Sequence, residues 1–236
     1  MNRRSRTERA LADAGFPVRP RNQEQPRTLA EQVWAESGQF LHWLREAAVA
    51  DPLVLALLRK GGRDPLGPAW PSTDREPHRI RQGARLTVAY WRAVYREAEE
   101  AGRGELYRGL AHLYAVHHRG PQANLRPDSP PALRHGTGSM GHALARFANG
   151  GDAPAGRAGL WLDAIVRPRS GLPWRQLEPA VGAMRDRGLA PPNWRRLAVD
   201  LAHWHHPRDR RRPYALTVPE RWSTDYHYPA GNAELS

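Results

Sequence analysis

The sequence predicts an all-α fold, a two-lobed helical bundle of about eight to nine helices joined by long Pro/Gly-rich loops. Apolar residues recur at helical spacing along most of the chain, and no segment keeps the two-residue alternation of a half-buried strand. The 22 prolines and 21 glycines cluster between these periodic segments, where they end helices and begin turns. A chain of 236 residues is long enough for one large domain or two small ones.

The predicted N-terminal helical lobe covers residues 28–135 and follows a basic flexible arm, residues 1–27, in which apolar periodicity is weak. Thr28 and Glu31 have the spacing of a capping box, which predicts that the first helix begins here and ends near residue 50. The other elements expected in this lobe are helices over residues 53–60, 79–101 and 105–118, and loops over residues 61–78 and 120–137.

The predicted C-terminal helical lobe covers residues 136–236 and consists of short helices. Asn193 is a favoured N-cap, and Pro219 is favoured at the first position of a helix. The remaining helices are expected around residues 140–149, 160–166 and 177–187. Tryptophans that fall in apolar helical patterns are assigned to the core, namely Trp43, Trp91, Trp194, Trp204 and Trp222.

The chain is strongly basic, with 36 Lys+Arg against 24 Asp+Glu, a net charge of +12 and a pI near 11.1. Only Lys60 is a lysine, and the remaining cations are arginines. A GC-rich genome alone can produce this bias, but guanidinium groups are also suited to bidentate phosphate contacts and to stacking. Nucleic acid is therefore the first partner to consider, ahead of an anionic membrane surface or an acidic protein.

Several classes of protein are excluded by what the sequence lacks. It has no cysteine, which excludes disulfides, zinc ribbons, iron–sulfur clusters and cysteine nucleophiles. No apolar run is long enough to span a membrane, and the basic start lacks the apolar core of a signal peptide. These features predict a soluble cytoplasmic protein, and no cofactor is expected.

Motifs for catalysis are weak. The segment around Ser139 lacks both the Gly-x-Ser-x-Gly pattern and the preceding strand of a nucleophile elbow. Residues 136–141 have the glycine spacing of a dinucleotide fingerprint, but they follow a proline-rich loop instead of a strand. His203 and His206 lie one turn apart and leave an enzyme or a metal site open, although the helix dipole also favours such histidines. Neither a metal site nor an enzymatic activity is predicted.

The arginines of the C-terminal half suggest a different function. Residues 157–212 contain twelve arginines and five acidic residues. Most of these arginines lie at predicted helix ends and in loops, including the Arg195-Arg196 pair that follows the predicted cap. Guanidinium groups at such places can face a phosphate backbone without disturbing a helix core. A solvated basic surface is the alternative interpretation.

Five short segments follow one another in a characteristic order. They are ALLRKGG at residues 56–62, LAHLYAVHH at 110–118, GSMGHAL at 138–144, LAVDLAHW at 197–204 and RWSTDY at 221–226. In this order and spacing the sequence resembles the CasB family, the small subunit of the type I-E CRISPR surveillance complex, Cascade. The resemblance covers roughly residues 28–228.

The resemblance implies a non-catalytic, all-helical subunit. It implies that the subunit pairs with a second copy of itself and lies beside the backbone and large subunits of Cascade. It also implies that basic residues contact the crRNA-bearing backbone and hold the target and displaced DNA strands of the R-loop in antiviral defence. His142 and Glu178-Pro179 are departures, because the family pattern has basic residues there. The nucleic-acid-binding residues that carry over are Arg59, Lys60, Arg119, Arg157, Arg167 and Arg169.

A second interpretation is another helical nucleic-acid-binding protein, such as a transcription regulator. The closest candidate for a helix-turn-helix is formed by residues 177–188 and 193–204. However, Trp194, Leu197 and Leu201 commit the apolar face of its second helix to packing. Sequence-specific binding to a short duplex would favour this alternative.

Overall fold

The computed structural model describes residues 28–50, 52–61, 101–118, 129–150, 156–167, 170–205 and 216–229. All regular structure in these ranges is helical, which confirms the all-α prediction. The helices are α1 (Leu29–Ala50), α2 (Pro52–Gly61), α3 (Gly104–His117), α4 (Pro131–His135), α5 (Met140–Asn149), α6 (Arg157–Val166), α7 (Trp174–Asp186), α8 (Trp194–Ala202) and α9 (Val218–His227). None of these nine is both long and apolar enough to cross a membrane.

Side-chain caps fix where several helices begin. At α1 the Thr28 amide donates to Glu31 Oε2 at 2.9 Å and the Glu31 amide donates to Thr28 Oγ1 at 3.3 Å, so the predicted capping box is confirmed. Asn193 Oδ1 accepts two amides in the first turn of α8, each at 3.1 Å, which confirms the second predicted cap. At α9, Thr217 and Glu220 form an additional capping box.

The central helix of the described fold is α3. It packs against α2, α7 and α8, while α1 packs mainly on α8, and α9 packs on α5 and α6. Nearly all of α3 is buried, and the indole of Trp174 from α7 lies directly against Gly109. Because α3 buries apolar side chains against several neighbouring helices, it forms the centre of the hydrophobic core. The predicted core tryptophans Trp43, Trp194, Trp204 and Trp222 are buried, and Trp91 lies outside the described residues.

The division into two lobes at residues 135 and 136 stays a prediction. Buried side chains from helices on both sides of that boundary belong to one hydrophobic cluster. The arm over residues 1–27 lies outside the described residues, and so does the helix expected over residues 79–101, except for Ala101 in a turn.

Two local differences from the prediction have a simple physical origin. Helix α4 lies within the loop predicted over residues 120–137, and it begins with Pro131 at the first helical position, where proline is favoured. Helix α7 begins at Trp174, before the helix predicted over residues 177–187, so Pro179 lies further inside it than expected. Pro179 is exposed, and its missing N–H removes a single hydrogen bond near the start of the helix.

Candidate nucleic-acid interface

Helices α2, α3, α6 and α7 surround an open cleft of about 810 Å³, which we call the first cleft. Its walls carry Arg59 from α2, Arg157 from α6 and Arg185 from α7. The fold therefore brings together two of the predicted nucleic-acid-binding residues, Arg59 and Arg157, which are far apart in the sequence. Arg185 was not among the predicted residues, and it adds a third guanidinium group.

Two of these guanidinium groups are anchored on the C-terminal end of α3. The last carbonyl groups of a helix have no partner within the helix, so they accept hydrogen bonds from nearby side chains. Arg59 donates to the Ala115 carbonyl at 3.5 Å, and Arg185 donates to the Val116 carbonyl at 3.2 Å. These contacts hold both cations on one wall of the first cleft while their side chains stay half-buried.

Arg157 is the most exposed arginine of the first cleft. It is the first residue of α6, and its guanidinium carbon lies 5.9 Å from the centroid of the Trp161 ring, one turn further along the helix. Such a contact at an exposed site contributes about 0.5–1 kcal/mol. The contact orients the Arg157 side chain and leaves it accessible to a ligand.

Acidic side chains also line the first cleft and reduce its positive charge. Arg185 is paired with Asp186, and Glu178 Oε2 lies 3.4 Å from His112 Nε2. Three arginines and two carboxylates leave the walls with a formal charge of +1, apart from any charge on His112. Glu178, where the resemblance led us to expect a basic residue, has the buried His112 as its partner.

The other predicted residues are not part of the first cleft as described. Arg167 is exposed at the C-terminal end of α6, about 15 Å along the helix axis from Arg157. The side chain of Lys60 lies outside what the structure describes, as do Arg119 and Arg169. The roles of these residues stay predictions.

Two arginines that were expected to face a phosphate backbone are engaged within the protein instead. Arg195 donates to the Trp34 carbonyl from Nε at 3.1 Å and from Nη2 at 2.9 Å, and its guanidinium carbon lies 4.1 Å from the Trp34 ring centroid. Arg196 Nη2 lies 3.8 Å from the Asp225 carboxylate. The expectation is corrected because it rested on helix-end position alone and took no account of partners distant in the sequence.

Ser139, His142 and Asp225 form a buried polar cluster between α5 and α9. Ser139 Oγ donates to Asp225 Oδ2 at 2.5 Å, and His142 Nδ1 lies 2.9 Å from that hydroxyl and 3.4 Å from that carboxylate oxygen. Serine and carboxylate thus contact the same ring nitrogen, whereas a hydrolytic triad places them on opposite nitrogens. Ser139 Oγ also accepts the His142 amide at 3.3 Å, so the cluster caps α5. The His142 ring is therefore packed inside the protein and serves the structure of α5.

The histidines at the end of α3 are also structural. Burial lowers the pKa of His117 to about 4, and its Nε2 lies 3.0 Å from a backbone carbonyl beyond α7. His118 contacts Tyr114 with ring centroids 4.2 Å apart, and burial lowers its pKa well below the ordinary value.

His203 Nδ1 lies 2.8 Å from a carbonyl of its own helix, and His206 is outside the described residues. Among the described side chains, no three histidines or carboxylates are grouped to hold a metal.

Comparison with known proteins identifies the family. The profile of the family described as CRISPR-associated protein Cse2 matches residues 54–227, which is most of the chain and includes every residue named above for the first cleft. No curated protein and no solved structure matches the chain significantly. The chain belongs to the CRISPR-associated protein Cse2 family, the small subunit of the type I-E CRISPR Cascade complex.

Proposed function

We propose that this Cascade subunit binds the sugar-phosphate backbone of nucleic acid in the first cleft and thereby stabilises the crRNA-guided R-loop. In this proposal the subunit catalyses no reaction. The observation that carries this proposal is the convergence of Arg59, Arg157 and Arg185 on one open cleft. The nucleic-acid ligands are the crRNA and the target and non-target DNA strands. The protein partners are the backbone and large subunits of Cascade and a second copy of this chain.

Because the R-loop forms at nearly balanced free energy, a few phosphate contacts are sufficient to stabilise it. Formation of an R-loop exchanges a DNA duplex for an RNA–DNA heteroduplex of nearly equal stability, so small contributions shift the balance. Backbone contacts need positive charge but no reading of bases, and guanidinium groups meet this requirement. Because Arg59 and Arg185 are already anchored on α3, they lose less side-chain freedom when a phosphate binds.

The alternative is a transcription regulator that reads duplex DNA through a helix-turn-helix. Its second helix would be α8, but α8 packs against both α1 and α3, and Trp194, Leu197 and Leu201 are buried. Arg195 of the same helix is held by Trp34. A helix enclosed in this way offers little surface to a major groove, so the packing favours backbone binding.

Binding of fluorescein-labelled single-stranded DNA, measured by fluorescence anisotropy over a range of salt concentrations, tests the proposal. Arg157→Gln is the main variant, because this side chain is exposed and lies outside the core. Arg175→Gln removes an equal charge from an exposed position of α7 outside the first cleft and is the matched control. We expect Arg157→Gln to weaken binding about threefold to tenfold and to reduce the salt slope by about 0.7, and Arg175→Gln to change affinity less than about twofold.

Two results would contradict this proposal. An affinity that does not fall as salt rises would argue against phosphate contacts, and equal losses in both variants would indicate a general charge effect.

In the assembled complex, the double replacement of Arg167 and Arg169 should weaken R-loop retention more than it weakens assembly. Equal loss of retention and assembly would assign those two residues to a protein interface.

A further inference from the structure

A second cleft, of about 400 Å³, lies between α1, α4 and α8. It shares no lining residue with the first cleft. Among the described residues that line it there is no aspartate or glutamate. Its polar and aromatic walls include Trp34, His42, Arg45, Arg134, His135 and Arg195. The second cleft is therefore more one-sided in charge than the first, in which two carboxylates accompany three arginines.

The arginines of the second cleft differ in how far the protein already satisfies them. Arg45 Nη2 lies 3.2 Å from Glu46, an exposed residue outside the lining, and 3.1 Å from His42 Nδ1. The Nε of Arg134 is buried and has no hydrogen-bond partner among the described residues. A buried donor of this kind is unfavourable unless a water molecule or a ligand accepts from it. Arg134 thus provides positive charge to the second cleft, while its Nε is buried behind the cleft wall.

Arg195 and Trp34 form a layered platform beside these cations. The two hydrogen bonds from Arg195 to the Trp34 carbonyl hold the guanidinium over the indole ring. Gly38, one turn further along α1, permits this arrangement, because a Cβ there would lie 3.1 Å from the guanidinium carbon. Trp34 nevertheless stays 42% exposed, so the platform remains open to a ligand.

We propose that the second cleft binds one nucleotide of a single strand, with its phosphate at Arg134 and Arg45 and its base stacked against the Trp34–Arg195 platform. Guanidinium groups bind phosphate through paired, charge-assisted hydrogen bonds. Bases stack on aromatic and guanidinium planes with little dependence on sequence. A volume near 400 Å³ lies within the usual range for small-ligand clefts. This site is additional to the backbone contacts of the proposed function.

The electrostatics of His135 agree with a site for an anion. Burial lowers the pKa of His135, and the neighbouring charges of Arg134 and Arg45 lower it further. A phosphate bound between these groups would offset their charge, and the pKa of His135 would rise. His135 is therefore a reporter: its pKa, followed by NMR, should increase when a strand binds.

Two oligonucleotides of equal length separate base stacking from phosphate binding. One is an oligothymidylate of about 12 nucleotides and the other is its abasic counterpart, each measured with the full chain by anisotropy. Trp34→Ala removes the ring but keeps the carbonyl that holds Arg195. We expect it to weaken oligothymidylate binding about fivefold or more and abasic binding less than twofold. Arg134→Gln should weaken binding of both strands about threefold or more.

The controls distinguish this proposal from the first one. Trp34→Phe should restore most of the base-dependent affinity, and thermal melts show whether each variant keeps its fold. If Trp34→Ala and Arg134→Gln bind both strands like Arg175→Gln while Arg157→Gln binds more weakly, the second cleft is refuted and the first stands. If oligonucleotide affinity is unchanged but Arg134→Gln fails to assemble into Cascade, the cleft takes an acidic protein segment, and the proposal is overturned.

Discussion

Replacement of Gly109 by alanine is expected to destabilise the protein through one contact between α3 and α7. A Cβ at this position would lie closer than 3.0 Å to three carbons of the Trp174 indole. The ring is rigid and only 7% exposed, so it cannot turn away without a movement of α7. Its displacement would also disturb the hydrogen bond that the indole N–H donates to Glu105 Oε1 at 3.1 Å.

The size of the effect follows from three contributions. Overpacking of a tight core contact costs about 1–3 kcal/mol. Loss of the indole hydrogen bond adds about 1 kcal/mol. The better helix propensity of alanine returns about 1 kcal/mol. The net loss is about 2 kcal/mol, which lowers Tm by about 4–8 °C in a protein of this size.

Thermal unfolding followed by circular dichroism measures this change. Gly159→Ala is the matched control, because it lies within α6 and the nearest atom to its new Cβ would be Tyr226 Oη at 3.8 Å. The control gains helix propensity without a clash, so its Tm should stay level or rise by about 2–4 °C. A Gly109→Ala protein that melts as high as Gly159→Ala would refute the close packing of α3 on α7.

Three other variants test the structural roles of buried or half-buried polar side chains. Ser139→Ala removes the cap of α5 and a donor to the buried Asp225, so it should cost about 2 kcal/mol in thermal unfolding, and a fluorophosphonate probe should not label the wild-type serine. The pKa of His117 is about 4 when folded and 6.5 when free, so the unfolded chain binds the proton first and stability falls on acidification. This loss is about 2 kcal/mol at about pH 5, and His117→Gln should make the decline in Tm shallower. Arg146 Nη2 lies within 3.3 Å of three backbone carbonyls, which share its two N–H donors, so Arg146→Gln should cost about 1–3 kcal/mol without weakening oligonucleotide binding.

The fold was largely predictable where local sequence signals and burial agree. Thr28 and Asn193 act through partners within three residues, so their caps can be recognised from spacing alone. The Thr217–Glu220 box has the same local signal and could have been found. By contrast, Pro179 argues locally against a helix that starts as early as Trp174, and the packing of α7 on α3 and α6 overrides that signal.

The candidate site was less predictable, because its charges depend on tertiary neighbours. Arg59 and Arg157 were predicted from a family resemblance, and nothing in their spacing indicates that they share a cleft. Arg185 has no local motif, and its place is set by the Val116 carbonyl, 69 residues earlier. Arg195 shows the opposite case: a helix-end position suggested a phosphate contact, but the carbonyl of a tryptophan 161 residues away accepts from its guanidinium.

The pairing of α1 with α8 has a consequence for synthesis of the chain. Trp34 and Arg195, which meet across this contact, are 161 positions apart, so α1 leaves the ribosome long before α8 exists. At ~5–20 residues per second, the part of α1 around Trp34 that meets Arg195 of α8 waits roughly ten to thirty seconds for its partner. The nascent chain is therefore expected to need chaperone protection during this interval, and slow translation should favour aggregation over recovery of native protein.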